Sequence, residues 1–144
     1  MRLGSGLCSA LALCGALASL PAEAQSLRVG MSGSDMATLD PHRAVATLDS
    51  SIVNWMFNGL VRIKQGQTNP ELIEPDLAES WETSADHLTY TFKIRSGVEC
   101  QGGYGPLTVN DVVFSLKRAM AKETSAFFAD FNAVDSVAAV GTDK

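Results

Sequence analysis

The sequence predicts a mixed α/β fold, and three patterns carry that expectation. Leu88, Tyr90, Phe92 and Ile94 alternate with Thr89, Thr91, Lys93 and Arg95, the period of a half-buried strand. Val109, Val112, Val113, Leu116, Ala119 and Met120 recur at helical spacing behind Thr108, and Ile52, Val53, Met56 and Phe57 form a second, shorter helical stripe. With 46% hydrophobic and 19% charged residues, the 144-residue chain has the composition of a globular protein rather than of a disordered or polytopic membrane one. Eleven Lys and Arg against 16 Asp and Glu give a net charge of -5, and no basic stripe is present. Nucleic acid is thereby excluded as a partner, since phosphates demand clustered cations.

The first 24 residues read as a cleavable export signal. Met1 and Arg2 precede a run from Leu3 to Leu20 built only of Leu, Ala, Gly, Ser and Cys, followed by Pro21-Ala22-Glu23-Ala24-Gln25. Small residues at Ala22 and Ala24 place cleavage after Ala24. Leu13 before Cys14 is too large for a lipoprotein acceptor site. Cleavage removes Cys8 and Cys14, so the exported chain keeps Cys100 alone and forms no internal disulfide. Its net charge is unchanged, because Arg2 and Glu23 leave together.

From the N-terminus onward, Leu27-Arg28-Val29-Gly30-Met31 alternates and predicts a strand, followed by the small polar loop Ser32-Gly33-Ser34-Asp35. Leu39-Asp40-Pro41-His42 is a turn, because Pro41 fixes its own φ and keeps Asp40 out of the helical region. Asp49 or Ser50 caps the first helix and Gly59 stops it. Leu60 to Lys64 is a short strand, and the two prolines of Pro70-Glu71-Leu72-Ile73-Glu74-Pro75 make that stretch an extended connection instead of a strand. Leu77, Ala78 and Trp81 point under the core. Ser84-Ala85-Asp86-His87 turns the chain into the strand at Leu88–Ile94, and Arg95-Ser96-Gly97 closes it.

Three glycines in Gln101-Gly102-Gly103-Tyr104-Gly105-Pro106 make a tight bend, after which Thr108 caps the second helix with Asp111 completing a capping box. Val134 to Val140 reads as a further strand, and Gly141-Thr142-Asp143 as a turn awaiting a partner strand. The chain is therefore expected to be the front part of a longer protein.

Reactive constellations are scarce. His42 and His87 read as turn residues without a second ligand nearby, and Cys100 has neither CxxC nor Cys-His spacing, so neither a metal nor another cofactor is expected. Gly30-Met31-Ser32-Gly33-Ser34 misses the nucleophile-elbow spacing, and the glycine run near Tyr104 lacks the Lys-Ser/Thr ending of a phosphate loop. Asp35 with Asp40, or Glu79 with Glu82, are the candidate carboxylate pairs, and nothing in the sequence singles out a general acid among them. No enzyme activity is expected.

Five stretches, in order, carry a resemblance: Leu39-Asp40-Pro41-His42; Asn58-Gly59-Leu60-Val61; Pro75-Asp76-Leu77-Ala78-Glu79-Ser80-Trp81-Glu82; Leu88 through Val98; and Leu107 through Ala119. Together they resemble the N-terminal part of the family 5 extracellular solute-binding proteins, the periplasmic receptors of dipeptide, oligopeptide and nickel ABC importers. Glu99-Cys100-Gln101-Gly102 departs from the Phe-His-Asp-Gly stretch that many members carry there.

The resemblance implies a two-lobed periplasmic-binding-protein-like fold of class II type with an extra subdomain, closing on its ligand by hinge motion. It divides the chain into the signal (1–24), the first segment of a discontinuous lobe I (25–60) and the extra subdomain (61–144). It implies a monomeric periplasmic receptor that captures a peptide or related small solute and hands it to an ABC permease in the inner membrane. Met31, Ser32, Gly33, Ser34, Asp35 and Met36 are the expected ligand-binding residues, because exposed backbone beside a strand can hydrogen-bond an extended peptide whatever its side chains are. The competing expectation is a self-contained secreted adhesion or assembly module without a role in transport.

Overall fold

Two turns of polar chemistry and one buried carboxylate set where the first helix lies. In the computed structural model, which describes residues 28–33 and 35–144, α1 spans Thr47–Met56 and opens at Ala46 without a side-chain cap. Asp49 therefore sits in the first helical turn instead of capping it. Its side chain is only 3% exposed, and Oδ1 accepts the Ala37 N–H at 3.1 Å, so the oxygen expected to cap the helix holds the preceding loop. Ser50 turns its hydroxyl to the Ala44 carbonyl, 2.6 Å away. The helix ends before Gly59: Phe57 is already extended at φ -120° and ψ 145°.

The expected strand Leu27–Met31 does not form over its described part, residues 28–31. Leu27 lies outside the described residues, and residues 28–33 are neither helix nor strand. Val29 and Met31 are both exposed, and alternation makes a strand only where a ladder covers one face. The expected export signal, residues 1–24, lies outside the described residues. The chain divides into one unit ending at Gly30 and a second spanning Met31–Lys144.

Three two-stranded antiparallel ribbons follow α1. β1 (Val61–Ile63) pairs with β2 (Ile73–Pro75), β3 (Ala78–Thr83) with β4 (Tyr90–Ile94), and β5 (Glu99–Cys100) with β6 (Gly105–Pro106). Strand β2 corrects the expectation that Pro70 and Pro75 forbid pairing. The Asp76 N–H donates to the Leu60 carbonyl and the Lys64 N–H to that of Leu72, so the antiparallel alternation puts Pro75, opposite Val61, at a position that needs no donor. Arg62 and Glu74 close the same ribbon with a cross-strand ion pair at 2.8 Å.

The β3–β4 hairpin forms where the alternation placed it. Its turn is tied by the Ser84 N–H to the Thr89 carbonyl and by Asp86 Oδ1, which accepts from the Ser84 hydroxyl and the Leu88 N–H. His87 takes φ 59° in that turn, which fits the turn role expected of it. Pairing begins at Tyr90, and Leu88 is 82% exposed. Trp81 and Phe92, register partners, tilt against each other with ring centroids 6.5 Å apart. In the β5–β6 bend Gly102, Gly103 and Gly105 all take φ between 74° and 88°, which is why three glycines cluster there.

Helix α2 (Val109–Met120) matches its sequence signature in detail. The Asp111 N–H reaches the Thr108 hydroxyl at 3.3 Å and Asp111 Oδ2 accepts the Thr108 N–H at 2.8 Å, closing the capping box. Val109 and Ala119 are buried, and Val112, Val113, Leu116 and Met120 are half-buried along the same stripe. Thr108→Ala removes the cap and is expected to lower stability by about 1 kcal/mol. Chemical denaturation checks it; an unchanged midpoint would mean the helix start is held by other contacts.

Beyond α2 a short 3-10 turn covers Phe128–Phe131, and Lys122 Nζ lies 5.9 Å over the Phe128 ring. The expected strand Val134–Val140 is not formed. Those residues are almost all exposed and, among the described residues, no ladder pairs with them. The turn after them does form, with Gly141 at φ 71°, and the Asp143 carbonyl accepts the Ile94 N–H at 2.7 Å. Among the described residues the buried apolar side chains are Ala44, Val53, Ala78, Ile94, Val109 and Ala119.

Candidate functional site

Two places could meet a ligand: the loop Met31–Met36 and an apolar groove beside α2. In the loop, Met31, Ser32, Gly33, Asp35 and Met36 are exposed and without regular structure, while Ser34 lies outside the described residues. The loop rests on α1. A Cβ on Gly33 would stand 3.0 Å from Leu48 Cδ2, so glycine permits the close approach. Asp49 holds Ala37 one residue past the loop's end.

The groove has a volume of about 620 Å³ and runs between the end of α1, the β5–β6 ribbon and α2. Phe57, Leu60, Leu77, Tyr104, Leu107 and Leu116 supply its apolar wall. Cys100 lies on its rim with Glu99 and Gln101. Its lining offers van der Waals contact and a few polar handles, which suits packing or binding.

One carboxylate of each pair weighed for acid–base work, Glu79 and Asp40, is engaged in an ion pair. Glu79 pairs with Lys93 Nζ at 2.9 Å across β3 and β4; this hydrogen bond holds the glutamate below and the lysine above its usual range. Asp40 receives both guanidinium nitrogens of Arg118, Nη1 at 2.8 Å and Nη2 at 2.5 Å, which lowers its carboxyl to about 2 despite partial burial. A fork-on-carboxylate contact of this kind is geometrically specific.

The same Arg118 Nη1 lies 2.6 Å from His42 Nδ1. His42 is thus more than a turn residue: it closes a triangle with Asp40 and Arg118, 78 positions apart in sequence at its widest. Burial, and then the neighbouring guanidinium, push its imidazole below the usual histidine range. One backbone and one side-chain bond reinforce the joint, the Ala126 N–H on the His42 carbonyl and Arg43 Nη2 on the Glu123 carbonyl.

The other recurring stretches meet in the same manner. Asn58 Nδ2 donates to both oxygens of Asp76, the Gly59 N–H reaches Asp76 Oδ2 at 3.3 Å, and the Leu77 N–H returns to the Gly59 carbonyl at 3.0 Å. Arg95 Nε bonds the Asp76 carbonyl, joining the end of β4 to this knot. Each of the five stretches is therefore one side of a structural joint. Among the described residues no group of three or more His, Cys, Asp or Glu is placed to hold a metal.

Sequence and fold comparisons agree with this arrangement. The family model for "Bacterial extracellular solute-binding proteins, family 5 Middle" matches residues 73–144, half of the chain. The chain belongs to the family 5 extracellular solute-binding proteins. Among solved family members, the solute-binding protein MoaA from A. tumefaciens R10, in complex with mannopinic acid, superimposes with a TM-score of 0.73 and is 50% identical over 76% of this chain and 22% of its own. NikZ from Campylobacter jejuni in complex with Ni(L-His) gives 0.64 and 27% identity over 76% of this chain and 21% of its own. The periplasmic oligopeptide-binding protein OppA of Haemophilus influenzae is 29% identical over 99 residues, 69% of this chain and 17% of that protein. The chain thus spans about a fifth of the length of these family members. The expected mixed α/β class and its place as part of a two-lobed binding-protein fold stand.

Proposed function

We propose that this chain contributes to a periplasmic receptor that captures a peptide or a related small solute and passes it to an ABC permease, without chemistry on the solute. The observation that carries the reading is the likeness to MoaA, whose structure holds mannopinic acid, at 50% identity over three quarters of the chain. In this reading residues 1–24 are an export signal cleaved after Ala24, residues 25–60 belong to the first lobe and 61–144 to the extra subdomain, and the receptor works as a monomer. The loop Met31–Met36 is the solute contact. Its exposure, its glycine seated on Leu48 and its anchor at Ala37 give an extended ligand backbone groups to pair with. Specificity comes from elsewhere in the receptor, because the five family stretches are used up in joints.

The test grafts this chain in place of the matching segment of MoaA and titrates the chimera with mannopinic acid, a short oligopeptide and Ni(L-His). Tryptophan emission is the readout, since Trp55 is 65% exposed and Trp81 half-buried. Saturable binding of at least one solute is expected. A folded chimera that answers none of the three contradicts the proposal. The chain by itself, carrying a fifth of the fold, is expected to bind none of them tightly.

A further inference from the structure

We infer that Asp40, His42 and Arg118 form a proton-sensitive joint, in which neutral His42 accepts from Arg118 and protonated His42 gives up that bond, loosening the turn Asp40–Arg43 while the Asp40 fork still holds it to α2. The inference stands on the triangle itself and does not depend on the solute reading.

An arginine side chain donates and never accepts, so the 2.6 Å approach of Nη1 to His42 Nδ1 requires Nδ1 to be the bare, accepting nitrogen of a neutral ring. The proton then sits on Nε2, which faces the Ser115 hydroxyl at 3.5 Å. Protonating Nδ1 sets two donors and two positive charges against one another at that distance, and the ring must leave Arg118. The charged groups around His42 are few. Asp40 and Arg43 lie on its own turn, Arg118 comes from α2, and the segment after α2 contributes backbone contacts at Glu123 and Ala126. Asp40, which also accepts the His42 backbone N–H, favours a protonated ring, but burial and the Arg118 guanidinium outweigh it.

The sign follows from the direction of the shift. The imidazole is held below its unfolded value of 6.5, so its contribution to the folded joint is present above that pH and lost as pH falls through the lower folded value. Asp40, lowered from 3.8 to about 2, remains ionised throughout that window and cannot be the source of the change. The Ala126 N–H on the His42 carbonyl is the contact nearest the ring, so it reports the loosening of the turn that leads from the loop Met31–Met36 into α1.

Ring-proton NMR of the full chain across pH, combined with amide exchange corrected for intrinsic rates, reads this directly. His42 is expected to titrate below 6.5, and exchange at Ala126 to rise roughly tenfold between about pH 7.5 and about pH 5. His42→Gln, which keeps an acceptor but cannot take a proton, flattens that rise, whereas His87→Gln leaves it intact. A His42 titration at or above 6.5, a pH-independent Ala126 rate, or the same rise in His42→Gln overturns the inference. The wild-type titration decides the matter even if the glutamine variant folds poorly.

Discussion

Arg118→Ala is expected to lower the stability of the chain by about 2 kcal/mol, near 8 °C in midpoint for a domain of this size. The reasoning is local. The guanidinium makes two bonds to Asp40 and one to His42, and its side chain and that of Asp40 are 29% and 24% exposed, so the pair is shielded enough to exceed an ordinary surface salt bridge. Losing it strands a partly buried carboxylate and a bare imidazole nitrogen, while the Ala126 N–H on the His42 carbonyl, the Arg43 side chain on the Glu123 carbonyl and the long Ser115–His42 contact still hold the turn. Arg118→Lys recovers little, because an ammonium cannot present the planar fork. Thermal unfolding followed by circular dichroism checks the order wild type, lysine, alanine. An alanine variant as stable as the parent would show that the turn is held by its backbone bonds alone.

Gly59→Ala carries an effect of similar size by a different route. A Cβ there would lie 2.9 Å from the Val61 carbonyl oxygen, and the backbone is pinned on both sides, by its N–H on Asp76 and its carbonyl on Leu77. With no room to relax, the substitution is expected to cost about 2 to 3 kcal/mol. Gly30→Ala is the matched control, since a Cβ at that position meets nothing within 4 Å. Urea midpoints of the two variants should separate clearly; coincident midpoints would mean that the Asn58–Asp76 knot yields more readily than its hydrogen bonds suggest.

These two substitutions also mark what could be read in advance. Helix α2 and the β3–β4 hairpin were legible because each is specified by local chemistry: a capping box ahead of a stripe, and an alternation behind an Asp-containing turn. The start of α1 was misplaced because an acidic residue near a helix N-terminus looks like a cap, whereas Asp49 spends its oxygen on Ala37, a partner that no local pattern names. Strand β2 was hidden by Pro75, whose missing donor matters only at one parity of the ladder, and parity depends on the partner strand. Residues 28–31 and Val134–Val140 show the converse, strand-like sequence without a ladder to make use of it. The Asp40–His42–Arg118 triangle had no local signal, since Arg118 stands on α2, 76 and 78 positions from His42 and Asp40. The stretches that carry the family resemblance meet in this structure: Asn58-Gly59 with Asp76, and Asp40 with Arg118, are the halves of single joints.

If the five stretches are joints and the loop before them is the contact, ligand binding should register in that loop. The decisive measurement is solute-dependent amide exchange at Met31, Ser32 and Gly33 in the MoaA chimera, with mannopinic acid as the first probe. Slowed exchange there, with Asn58, Gly59 and Asp76 unchanged, is the predicted outcome. Saturating binding that leaves the loop's exchange untouched would contradict it.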